Sequence, residues 1–297
     1  MMFLSQRIEE LMMHHHDARY AVAEFVLHEK KNIQEYTIDD IAQHSYTSKA
    51  TVVRFAKTLG FKGWRDFIKA YIAEVRYDEL HQGDVDANYP FTQANSTSEI
   101  LDNIKKFQIE SIQDTFELMD LSTLNKATDY LYKANRVVIF GLSPNVYLGE
   151  LFKRKMITIG KNIEVANLGE MAIVSRTLKS DDCAILVSYS GNNQDAEPMC
   201  YLPILLKQKV KMIGITSGGN NYLREHLSCV FTMSSKERLY TKISTFASEE
   251  SIQYIFNALY ANYYSKAYQE NNQFKIQNAK IIENKRQSVI HNKDKVS

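Results

Sequence analysis

Residues 47–61 read Thr47-Ser-Lys-Ala-Thr-Val-Val-Arg-Phe-Ala-Lys-Thr-Leu-Gly-Phe61. Ser48 is a good N-cap, because its hydroxyl can accept from a first-turn N–H that has no partner inside the helix. Gly60 stands where a left-handed residue would end that helix. Between them Val52, Phe55, Ala56 and Leu59 recur at the i, i+3, i+4, i+7 spacing of one buried stripe. Lys49, Thr51, Arg54 and Lys57 fall on the opposite face, with Val53 also pointing outward. A short, capped, basic helix with a dry back suits a DNA major groove, where Thr and Arg reach base edges and Lys meets phosphates.

Immediately upstream, Thr37-Ile-Asp-Asp-Ile-Ala-Gln43 reads as a second short helix. Thr37 would cap it, Asp39 and Asp40 suit its positive end, and Ile38, Ile41 and Ala42 would pack inward. The four residues His44–Thr47 leave the length that a helix-turn-helix turn needs. The same spacings would also suit an ordinary helical hairpin. Charge is distributed in keeping with the DNA reading. The 297-residue chain is balanced, with 36 basic and 35 acidic residues, yet His44–Ala70 holds six basic residues and one acid, a net +5.

The string Thr37-Ile-x-x-Ile-Ala, followed by Ser48-x-Ala-Thr-Val-x-Arg-Phe-x-x-x-Leu-Gly-Phe61 and Phe67, resembles the N-terminal helix-turn-helix of the RpiR/MurR family of bacterial transcriptional regulators. The likeness covers about residues 17–76. It departs at Val53, where family members carry a polar residue. The resemblance implies DNA contacts from Ser48, Lys49, Thr51, Val53, Arg54 and Lys57, and a sugar-phosphate-binding domain downstream.

Helices are predicted over 3–13, from an Asp17 cap through Leu27, and from Trp64 to Ile72, to brace the helix-turn-helix. Residues 78–98 are rich in turn formers and are expected to be a linker. A long helix over about 100–116 and another over 121–134 follow. From Arg136 onward, short apolar runs (137–140, 163–166, 183–187, 212–215, 229–233) alternate with helical stretches (147–159, 171–178, 195–208, 220–226). Wholly apolar strands alternating with helices imply a parallel sheet covered on both faces. A Tyr-rich helix over 248–268 and a polar, partly disordered tail complete the expectation. Tyr254, Tyr260, Tyr263, Tyr264 and Tyr268 could form an interface between copies or face the core.

In an open α/β sheet, ligands sit beyond the C-terminal strand ends. After Val187 comes Ser188-Tyr-Ser-Gly-Asn-Asn193, with a helix expected near Asp195. Hydroxyls, a glycine and free N–H groups at a helix start can cradle a phosphate, though a capped strand-to-helix turn uses the same residue types. Ser188-x-Ser190-Gly191 also resembles the phosphosugar loop of the sugar isomerase (SIS) domain, which usually continues Glu-Thr where Asn192-Asn193 stand. Gly141-Leu-Ser-Pro-Asn145 is similar to that fold's Gly-x-Gly-x-Ser turn, with Ser143 and Asn145 replacing the second glycine and the serine. This second resemblance implies ligand contacts from Ser143, Asn145, Ser188, Ser190, Gly191, Asn192 and Asn193.

The combined expectation is an all-α helix-turn-helix N-terminal domain (1–77), a linker (78–98), an α/β C-terminal SIS domain with a five-stranded parallel sheet flanked by helices (99–270), and a polar tail (271–297). The partners expected are double-stranded operator DNA, a sugar-phosphate effector and further copies in a homodimer or homotetramer, since one helix-turn-helix reads only a half-site. Catalysis would need an acid or base from Glu170, His226, Glu249 or Glu250, residue types more often solvated or capping in such places. A regulator is therefore expected rather than a sugar-phosphate isomerase or a non-sensing DNA-binding protein. No metal or cofactor is expected, and His14-His15-His16 reads as a solvated helix end. Cys183, Cys200 and Cys229 form no CxxC pair, and no apolar run nears the roughly 18 residues of a membrane span, so a cytoplasmic setting is expected.

Overall fold

The computed structural model describes residues 4–81, 85–219, 221–234, 236–238 and 241–283. Packing divides the chain into two compact units. The first gathers Met1–Asp114 with Ser217–Asn220 and Ser234–Glu250; the second gathers Thr115–Thr216, Asn221–Met233 and Ser251–Ser297.

The first unit is helical: α1 (Leu4–His14), α2 (Ala18–Glu29), a 3-10 turn (Lys30–Glu35), α3 (Ile38–His44), α4 (Lys49–Thr58), α5 (Trp64–His81) and most of α6 (Thr97–Glu117). Local chemistry sets the helix starts. Asp17 accepts from the Arg19 N–H at 2.9 Å, and Thr37 and Asp40 form a reciprocal capping box at the head of α3. The core is one cluster in which Ile8, Val26, Ile41, Val52, Phe55 and Phe67 are all fully buried. Phe55 meets Phe67 edge to face with ring centres 5.3 Å apart. His14 ends α1, with His15 and His16 beyond it.

The segment expected to be a linker is fastened in place. Val85 and Pro90 are buried. Asn88 accepts from the Arg238 N–H at 2.6 Å and from the Ile243 N–H at 2.9 Å. Its turn formers shape a fixed irregular path, with Asp86 accepting from the Asn88 N–H at 2.8 Å. Residues 82–84 of that segment lie outside the described residues.

The second unit continues with α7 (Leu121–Lys133), β1 (Val137–Gly141), α8 (Asn145–Ile157), β2 (Glu164–Val165), α9 (Met171–Thr177), β3 (Cys183–Val187), a 3-10 turn (Met199–Tyr201), α10 (Leu202–Lys207), β4 (Lys211–Thr216), α11 (Tyr222–His226), β5 (Val230–Thr232), most of α12 (Phe246–Lys266) and α13 (Tyr268–Glu283). The strands form one all-parallel sheet in the order β2-β1-β3-β4-β5. Alternate residues face opposite sides. Val137, Ile139, Ile185 and Ile213 pack with Leu131, Phe152 and Phe256, whereas Val138, Phe140, Ala184 and Leu186 pack with Met171, Leu202 and Leu223. Both faces are dry, which is why the strands read as unbroken apolar runs.

The C-terminal end adds detail to two expectations. Residues 268–283, which include the first part of the polar tail, form a helix. Phe274 of α13 lies against Gly160, where an added Cβ would come within 3.1 Å of the ring, and Asn271 donates to the Tyr264 carbonyl at 3.1 Å. The remaining tail, 284–297, lies outside the described residues. Of the tyrosines with two readings, Tyr263 faces the core, Tyr260 and Tyr264 pack against that core, and Tyr268 is widely exposed.

Candidate functional site

Two places bring the expected residues together. In the first unit, the Ser48 hydroxyl accepts from the Thr51 N–H at 3.2 Å and heads α4. At the other end Gly60 has φ +83, and the Phe61 N–H reaches the Ala56 carbonyl at 3.1 Å, closing the helix as its position implied. Arg7 of α1 donates its guanidinium to the Leu59 carbonyl and lies 5.8 Å from the centre of the Phe61 ring. A cation on those last carbonyls favours the helix electrostatically and ties its C-terminus to the bundle. Arg54 and Lys57 are exposed, Val53 is half-buried, and Lys49 is exposed while paired with Asp39. Thr51 departs from expectation. It is buried, and its hydroxyl lies 3.0 Å from that of Ser48, because a residue in the first turn can fold back onto the cap. The exposed basic face of α4 is therefore Lys49, Arg54 and Lys57, with Ser48 at its head.

In the second unit, the order β2-β1-β3 makes the end of β1 a switch point, since the chain leaves β1 for one side and returns on the other. Gly141 pairs in register with Val187, so the turn 141–145 and the loop 188–193 rise from adjacent strand ends. A Cβ on Gly141 would lie 3.3 Å from that of Asn145 and 3.5 Å from the Val187 carbonyl, so a side chain there would crowd both turns. Asn145 opens α8 and is half-buried, while Ser143 is exposed.

The 188–193 loop is built from its own side chains. Ser188 accepts from the Gly191 N–H at 3.2 Å, Ser190 from the Asn192 N–H at 3.4 Å, and Asn193 from the Asp195 N–H at 3.3 Å. Gly191 has φ +63. Its carbonyl takes the Leu223 N–H at 3.0 Å, and Asn192 takes the Tyr222 N–H at 3.1 Å, pinning the loop to α11. The helix expected near Asp195 is absent. Residues 194–198 are turns, and regular structure resumes at Met199. Pro198 lacks an N–H and disfavours helical geometry at Glu197. The donors of this loop are thus its own N–H groups, two of them held by serine hydroxyls.

Thr216 and Asn221 belong to the same site and were not singled out from the sequence. Thr216 donates to the Tyr189 carbonyl at 3.1 Å and receives the Asn221 side-chain amide at 3.0 Å. A signal was present: Ile215-Thr216-Ser217 repeats the apolar-run-then-hydroxyl pattern of Val187-Ser188. The four acid–base candidates are tied up locally. Glu170 accepts from Asn167, His226 meets the Tyr222 carbonyl, Glu249 accepts from Thr245, and Glu250 accepts from Gln108. Among the described residues, no group of three or more His, Cys, Asp or Glu is arranged to hold a metal ion, and no helix is long and apolar enough to cross a membrane.

Comparison with known proteins matches both regions of the chain to known domains. The family model described as a helix-turn-helix domain of the rpiR family matches residues 2–75, and that of the SIS domain matches residues 130–261. The chain thus joins an rpiR-family helix-turn-helix domain to a SIS domain. An uncharacterized HTH-type transcriptional regulator of Haemophilus influenzae is 25% identical over 220 residues, 73% of this chain and 74% of the relative. Another, of Clostridium perfringens, is 25% identical over 262 residues, 88% of this chain and 92% of the relative. Among solved structures, the Vibrio vulnificus NanR protein complexed with ManNAc-6P superposes with a TM-score of 0.58 at 22% identity, covering 94% of this chain and 97% of that one. That last likeness is one of fold.

Proposed function

We propose that this chain is a cytoplasmic transcriptional regulator that binds operator DNA through residues 1–77 and a phosphorylated sugar through residues 99–270, with 78–98 between them and a polar C-terminal stretch, 271–297, that begins within α13. The observation that carries the reading is one chain holding both a capped helix with an exposed basic face and a glycine–serine loop at a sheet switch point. The effector would shift the population between conformers of different DNA affinity, which requires it to bind one of them better. Ser143, Asn145, Ser188, Ser190, Asn192 and the N–H groups of 191–193 would hold the phosphate. Those stretches carry no Lys or Arg, so hydrogen bonds rather than a paired charge would do so. NanR, complexed with ManNAc-6P, supports a sugar-phosphate ligand for this fold. The site is read as one that binds the sugar without turning it over, with Glu170 and His226 each making a local contact.

A thermal-shift screen over sugar phosphates tests this, with conversion of each followed in parallel. At least one should raise the melting midpoint and be recovered unchanged. Ser190→Ala should weaken its binding about tenfold to a hundredfold, as charge-assisted hydrogen bonds contribute roughly 1.5–3 kcal/mol each. A panel with no stabilising member, or one that is isomerised, would defeat the proposal.

For DNA, the probe is a duplex enriched by the wild-type chain from a random-sequence library. Arg54→Ala should relax sequence preference, losing roughly 1–3 kcal/mol of base discrimination. Lys57→Ala should weaken all duplexes alike and flatten the salt dependence. The enriched site should be a palindrome taking two chains, its half-sites about 34–36 Å apart. An Arg54→Ala variant with unchanged affinity and specificity would reverse the assigned orientation of α4.

A further inference from the structure

Tyr46 occupies the turn between α3 and α4 in a backbone conformation suited to glycine, with φ +52, and it is 97% exposed. Its N–H meets the Gln43 carbonyl at 3.1 Å, and the next N–H, from Thr47, reaches the Ala42 carbonyl at 2.8 Å. This pair of bonds ends a helix on a left-handed residue, where glycine is the usual occupant because a Cβ crowds the backbone. A tyrosine there disfavours the local conformation and buries almost no surface in return, so nothing in the fold accounts for it. Its place in the chain does. It stands two residues before Ser48, the cap of α4. In a helix-turn-helix the first residues of the second helix enter the major groove, so the residues just ahead of its cap run beside the sugar-phosphate wall. Tyrosine hydroxyls are among the groups that donate to phosphate oxygens there, and such contacts set register without reading sequence.

We infer that Tyr46 is a DNA-backbone contact, its hydroxyl donating to a phosphate that borders the groove α4 enters. The inference rests on the DNA-binding function proposed above. A contact of this kind separates stability from binding, because glycine at position 46 relieves the backbone while deleting the ring.

The experiment compares wild type, Tyr46→Phe and Tyr46→Gly by fluorescence anisotropy on the library-enriched duplex and on a random-sequence duplex, with thermal melts of each protein. Tyr46→Gly should melt higher than wild type. Both variants should bind about fivefold to tenfold more weakly, by the same factor on the two duplexes. The salt dependence should keep its slope, since an uncharged hydroxyl releases no counterion. Three results would overturn the inference: Tyr46→Phe binding as wild type, a loss confined to the enriched duplex, or Tyr46→Gly melting lower. Failure of the wild-type chain to enrich any duplex would be a different result, removing the DNA-binding function and the inference with it.

Discussion

Valine at position 191 is expected to abolish sugar-phosphate binding and to lower the melting midpoint of the second unit by several degrees. The residue has φ +63, which a β-branched side chain tolerates poorly. Space is also lacking, since a Cβ there would sit 2.6 Å from the Thr216 hydroxyl and 2.9 Å from the Asn221 amide. Neither neighbour yields easily. Thr216 is bound to the Tyr189 carbonyl and Asn221 to Thr216, and Asn221 also caps α11. Left-handed strain and the displaced polar groups together should cost about 2–4 kcal/mol. The loop must lift away from α11, taking with it the hydroxyls and N–H groups assigned to the phosphate. Circular dichroism melts with calorimetric titration of the best sugar phosphate provide the check. Asn193→Ala, an exposed change in the same loop, should leave the midpoint near wild type. Wild-type binding by Gly191→Val would place the pocket elsewhere.

Phe55→Ala should have an effect of similar size in the first unit, through packing rather than through a binding group. Phe55 is fully buried, edge to face with Phe67 and 6.4 Å from the Trp64 ring centre. Truncating a buried Phe typically costs about 3–5 kcal/mol, part of it from the cavity left behind. The ring is also what seats α4, since it projects from the dry stripe opposite Arg54 and Lys57. DNA binding should therefore fall on every sequence, together with the melting midpoint. Arg54→Ala should instead alter specificity while the midpoint holds. If Phe55→Ala melted as wild type, the packing role assigned to it would be wrong.

What could be read from the sequence was what short-range chemistry governs. Asp17, Thr37 and Ser48 cap helices as expected, and Gly60 takes the left-handed conformation, because each of these is settled within four residues. The five strand runs were visible because both faces of the sheet are dry. Thr51 was misjudged because helical spacing alone placed it outside, whereas its hydroxyl turns back to the cap. The anchoring of Asn88 by residues 238 and 243 joins positions some 150 apart in sequence, which no local pattern reveals. The same holds for α13, whose purchase on Gly160 through Phe274 leaves no periodic trace. At the ligand loop the strand, the serines and the glycine were legible. The missing helix at 195 was not, although Pro198 stood in the sequence as the signal against it.

The in-register pairing of Gly141 with Val187 bears on how such a sensor diverges over time. Below that pair the strand residues of β1 and β3 are essentially sealed, so the platform tolerates little change. Above it, Ser143 and Asn193 stand exposed on turns, Asn145 opens α8 and Asn192 holds the loop to α11, all of them outside the strands of the sheet. Gly191 is the exception, fixed by its neighbours. Drift in those few positions can retune which effector is recognised while selection on the platform stays unaltered. Relatives about a quarter identical to this chain over most of its length are compatible with such a division between platform and turns.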